Sequence, residues 1–139
     1  MTGTPYVFEY AVLRAVPRVE RGESINVGVL VWCKQLGYLG ARAHLDRDRL
    51  LALDPGADVP AVELALRALC DVAPGPGPDA GSAAIDEVGR TFRWLTAPRS
   101  TVVQPGPVHT GLTADPDAEA DRLFSVLVLP VVDGGGPTG

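Results

Sequence analysis

A chain of 139 residues, 46% hydrophobic and 21% charged, has the size and balance of one globular domain able to bury a core without disulfides or metal. Its formal charge of −5 works against broad electrostatic binding of a nucleic-acid backbone, so nucleic acid is disfavoured as a partner. No apolar run approaches the ~20 residues of a membrane helix, and residues 1–5 lack the basic and apolar regions of a secretory signal, so the expectation is a cytoplasmic protein without a membrane span.

Two runs rich in β-branched and aromatic residues, 6–16 and 24–34, flank the polar loop 17–23 and predict an antiparallel hairpin. If Val16 faces Ser24, then Arg14 faces Asn26, Val12 faces Gly28, Tyr10 faces Leu30 and Phe8 faces Trp32. The even-numbered face then grades from aromatic to polar. The odd face, with Ala11, Leu13, Val27, Val29 and Val31, is uniformly apolar and is expected to lie under helices. A three-residue turn, Gln35-Leu36-Gly37, with Gly37 left-handed, returns the chain as a third strand from Tyr38 to Leu45.

Asp46 is placed to cap a short helix through Leu53, and Asp58 a second running to about Val72 with Pro60 in its first turn. Glu63, Arg67 and Asp71 follow at i+4 spacing and predict a solvated ion-pair ladder. Residues 73–81 read as a loop inside one domain, since neither half alone would bury a sufficient core. Ile85, Val88, Phe92 and Leu95 mark one face of a third helix, from Ser82 to Thr96. Thr101 to Gln104, beside Pro105 and Pro107, suits an edge strand. Asp115 and Pro116 open a last helix with Ala120, Leu123, Phe124 and Leu127 inward. The expected whole is a single α+β domain over 1–132, three N-terminal strands plus an edge strand in an antiparallel sheet with helices mainly on one face, and a disordered tail at 133–139.

Chemical motifs are sparse. There is no phosphate loop, dinucleotide fingerprint, Gly-x-Ser-x-Gly elbow or Cys-x-x-Cys pair, and no cofactor is implied. Cys33 and Cys70 read as buried free thiols. The register gathers Arg14, Asn26, Arg42, His44 and Asp46 into a polar corner, with Glu23 close enough to accept from Arg14. A satisfied network that holds the hairpin and a ligand or partner site are both open readings. His44, Asp46, Glu23 and His109 can be drawn as a metal set, but Asp46 already has a capping role, and structural pairing is the simpler account. Arg93, Arg99, Ser100 and His109 form a candidate anion pocket, against which stands pairing of Arg90 and Arg93 with Asp86 and Glu87. Trp32 and Trp94 are core candidates first. The strip Tyr6, Phe8, Tyr10 and Trp32 has no helix assigned to cover it, which makes it a candidate interface for a second copy or a protein partner.

The segments Tyr10–Pro17, Arg21–Val29, Phe92–Thr101 and Val108–Gly111 together resemble the bacterial DUF3037 family, the Arg-Gly-Glu…Asn-Val-Gly pattern being the most specific element. That resemblance implies no established activity and no catalytic residue. It does imply a partner or accessory role, since members are often encoded beside HipA-like serine/threonine kinases. Two functions are therefore expected: a non-enzymatic binding or regulatory module working with a protein partner, or a small metal-dependent hydrolase or nuclease using the polar corner.

Overall fold

The computed structural model describes residues 3–73, 82–98 and 101–131, with 82–85 as backbone alone. Residues 74–81 of the expected 73–81 loop, the tail 133–139, and Arg99 and Ser100 all lie outside the described residues.

The sheet begins with the two predicted strands, β1 (Tyr6–Ala15) and β2 (Ile25–Cys33). A single 3-10 turn at Lys34–Leu36 closes on Gly37 at φ 60° and leads into β3 (Tyr38–Ala43). Four helices follow: α1 (Arg47–Leu53), α2 (Val59–Val72), α3 (Ser82–Leu95) and, after the last strands, α4 (Pro116–Leu127). Asp46, Asp58 and Asp115 cap α1, α2 and α4 through their carboxylates, each satisfying first-turn N–H groups that the helix itself leaves free. Two short strands, β4 (Val103–Pro105) and β5 (His109–Thr113), both run antiparallel to β1.

β4 and β5 are one edge ribbon interrupted at Gly106-Pro107-Val108. Val16 N–H donates to Val102, Gly106 N–H donates to Val12, and β5 then resumes opposite Tyr10. The edge is thus longer than the single short strand read from the sequence. β5 was missed because His109-Thr110-Gly111-Leu112-Thr113 offers little apolar alternation.

Register is where sequence and structure part. Arg14 does face Asn26, but Leu13, not Val12, faces Gly28, and beyond it Val12 faces Val29, Tyr10 faces Val31 and Glu9 faces Trp32. Val27 and Gly28 together oppose one step of β1, a β-bulge that inverts the parity of β2 relative to β1. Gly28 is required there: a Cβ would sit 2.8 Å from the backbone oxygen of Arg42 and 3.2 Å from Leu13 Cδ1.

The inverted parity gives the sheet two cores. One face joins Leu13, Ile25, Val27, Leu30, Trp32 and Leu39 to α1, α2 and α3 through Leu50, Val62, Leu66, Val88, Phe92 and Leu95. The other joins Phe8, Val29, Val31 and Cys33 to Ala120 and Leu123 of α4, with Tyr6 and Tyr10 packed at its margin. The architecture is α+β with three of the four helices on one face, while α4 covers the face expected to be bare.

Candidate functional site

The polar corner does not assemble as drawn. Glu23 is engaged by its near neighbour Arg21 at 2.7 Å rather than by Arg14. The loop is instead anchored by Arg18, whose Nε lies 3.1 Å from Asp54, a buried carboxylate that also accepts from Gly56 N–H. Arg14 is exposed and lies along the interrupted edge, its guanidinium close over Gly106. Asn26 faces α4 and donates to the carbonyl of Leu127 at 3.0 Å, satisfying one of the last orphan acceptors of that helix. Asp46 caps α1, and His44 is exposed at the end of β3 with its backbone N–H on Val27.

Arg42 has a different set of partners from those expected. Its Nε donates to Asp121 and its Nη2 to Asp117, both at 2.8 Å, while Nη1 donates to the carbonyl of Ala41. Tyr38 adds its hydroxyl to Asp117 at 2.9 Å. This cluster ties the exposed edge of β3 to the first turns of α4. Burial, and then the bond to Asp117, push the Tyr38 phenol up from 10.0 to about 12. Burial alone would lower the Arg42 value, but Asp121 and Asp117 more than reverse it, and Arg42 with Tyr38 holds Asp117 below the usual carboxylate range.

A titration result follows. Because the folded Tyr38 value is raised, the neutral phenol's contribution is complete below pH 10 and is lost as pH climbs toward about 12. Discounted for Tyr38's partial exposure, that contribution is about 1 kcal/mol. Tyr38→Phe should erase a late ionisation near pH 12 from the ultraviolet titration and flatten the loss of thermal stability between those limits. An unchanged titration curve in the variant would contradict it.

The metal set is scattered. His109 stands on β5 against Tyr10, ring centroids 5.2 Å apart, Glu23 is in the hairpin loop, and His44 and Asp46 are at the end of β3. Among the described residues no group of three or more His, Cys, Asp or Glu is placed to hold a metal ion. The anion set separates likewise, since His109 is across the sheet from Arg93. Arg90 pairs with Glu87 at 2.8 Å, as the simpler reading had it, but Arg93 lies over the Trp32 ring instead of on a carboxylate.

The aromatic strip is corrected as well. Tyr6, Phe8 and Tyr10 lie under α4, whereas Trp32, only 5% exposed, points to the opposite face and stacks on Phe92. The four residues therefore do not form one strip. Trp94, read as core, is 58% exposed. Both cysteines are free, Cys33 buried and Cys70 half-buried.

A concavity opens beside Arg42 and His44, two residues of the expected polar corner. A groove of about 690 Å³ runs between β3 and α2, floored by Ala41, Leu45 and Leu66 and rimmed by His44, Arg47, Glu63 and Arg67. β3 is the terminal strand of the sheet, paired with β2 alone. His44 turns its N–H inward to Val27, so antiparallel alternation turns the backbone groups of Leu39, Ala41 and Ala43 outward. The expected ladder on α2 is absent: Glu63 accepts from Arg47 across the groove at 2.6 Å, and Arg67 has no carboxylate partner among the described residues. The half-buried Cys70 thiol closes one end, and its burial, then the charge of Asp71, raise its pKa, which makes it a poor nucleophile.

A five-stranded antiparallel sheet with helices on both faces makes the molecule a small α+β domain, with an open groove along the β3 edge. Family comparison is specific about lineage: the chain belongs to DUF3037, a family described as proteins of unknown function, whose model matches residues 10–128. No curated protein and no solved structure gives a significant match.

Proposed function

We propose that this protein is a non-enzymatic binding module that receives an extended, acidic segment of a protein partner along the edge of β3. The observation that carries the reading is the coincidence of a strand edge that no other strand covers, its Ala41 carbonyl held by Arg42 Nη1, with a groove of about 690 Å³ beside it. An extended segment adding to such an edge gains main-chain hydrogen bonds, and alternate side chains drop toward the groove floor. Arg47 and Arg67 against the single carboxylate of Glu63 leave the rim with an excess of positive charge in a chain that is acidic as a whole, which suits acidic partners. A HipA-like kinase, implied by the resemblance to DUF3037, is the partner to try first. The hydrolase or nuclease alternative loses the cluster on which it was drawn.

Proline discriminates this reading cleanly. At Ala41 it removes an outward N–H without touching the β2 ladder, so the fold tolerates it. Short peptides alternating apolar and acidic residues should bind the full chain, and Ala41→Pro and Arg67→Glu should each weaken binding about tenfold. Equal binding by a folded Ala41→Pro variant, or no binding of any such peptide, would sink the proposal.

A further inference from the structure

We infer that a second, smaller pocket between β2 and α3 binds a phosphate-type oxyanion. Trp32 Nε1 is the one buried side-chain polar atom among the described residues that has no hydrogen-bond partner. A buried N–H left in that state forfeits its hydration with nothing in return, and it is the kind of group that a bound acceptor satisfies.

The surroundings supply the rest of a site. Phe92 stacks on the indole at 5.2 Å, which fixes the ring. Gly89 lies against Cζ2 of the ring, where an added Cβ would stand 2.9 Å from Cζ2 and 3.6 Å from both Cε2 and Cη2. Nε1 is bonded to Cε2, the ring neighbour of Cζ2. A cavity of about 230 Å³ opens there, lined by Trp32, Lys34, Asp86, Gly89, Arg90 and Arg93. The Arg93 guanidinium stands over the indole, 5.2 Å from the ring centroid. Arg90 is partly neutralised by Glu87, whereas Lys34 and Arg93 have no carboxylate partner among the described residues.

Apart from Asp86, every polar side chain here is a donor, so the matching ligand is an acceptor with several oxygens. Ammonium and guanidinium groups lining the same pocket as the indole suit a tetrahedral oxyanion, and Asp86 can accept from the hydroxyl of a monoprotonated phosphate or its ester. The volume admits one phosphate with a small substituent and is below the usual range for larger ligands. The pocket shares no lining residue with the β3 groove, so the inference stands apart from the proposed function.

The test uses the full chain with Trp94→Phe, which leaves Trp32 as its only indole. Inorganic phosphate is titrated against Trp32 fluorescence at fixed ionic strength, with chloride and acetate as parallel arms. A saturable response to phosphate is expected, with its dissociation constant raised about tenfold by Arg93→Gln and again by Lys34→Gln. Lys34 is exposed, so its variant keeps the test valid if Arg93→Gln perturbs the indole packing. Absence of saturation, an equal response to chloride or acetate, or unchanged affinity in both variants would overturn the inference.

Discussion

Gly28→Val should leave little folded protein at room temperature, the largest effect expected of any single substitution here. A Cβ at this position meets the Arg42 carbonyl at 2.8 Å, and backbone flanked by two strands cannot give way as a side chain tip can. The two further methyl groups of valine would press on Leu13, itself fully buried, for a combined loss of more than about 3 kcal/mol. Gly56→Ala is the matched control. Its Cβ would find only an ordinary 3.5 Å contact with Asp54, and the change should stay within about 1 kcal/mol. Chemical denaturation of both variants measures the difference, and a Gly28→Val midpoint close to that of Gly56→Ala would refute the bulge argument.

Phe92→Ala is expected to cost about 3–5 kcal/mol, the range for an aromatic ring removed from a rigid core. Phe92 is 1% exposed and supports Trp32 from α3, so the loss combines a cavity with the release of the indole. Trp32 emission should shift to the red in the folded fraction, while Phe92→Leu should recover more than half of the stability. A Phe92→Ala protein with unshifted emission would show that Trp32 is held by other contacts.

Much of the fold was legible before any coordinates. Asp46, Asp58 and Asp115 announced three helix starts because a short carboxylate before a periodic apolar run has a local physical role. Gly37 marked the second turn for the same reason, and Arg14 opposite Asn26 followed from the loop beside them. The bulge at Val27 and Gly28 has no comparable local signature, and the need for glycine there comes from the Arg42 carbonyl of a third strand. One missed residue then moved Trp32 to the other face and removed the aromatic strip as an interface. The polar residues failed for a related reason: Arg42, Asn26 and Tyr38 find their partners on α4, some 75 to 101 positions away, beyond the reach of parity or spacing. The β3 groove was legible only in its polar residues, Arg42, His44, Glu63 and Arg67, because a strand edge left without a neighbour has no local signal.

The order of the elements also dictates how the molecule is completed during synthesis. β1 leaves the ribosome before the other strands described, yet its second neighbour and the helix that shields Phe8 and Tyr10 are encoded after residue 100. Until that last stretch emerges, the nascent chain carries one core that lacks Val102 and Val103 and one greasy, unshielded surface, a state open to chaperones and to premature aggregation. Pulse-labelled hydrogen exchange during refolding should find the amides of β5 and α4 protected last, after those of β2. The protein would then be assembled as a hairpin platform closed by its own C-terminal clasp, and a stalled or truncated chain would be recognisable to quality control by that open face.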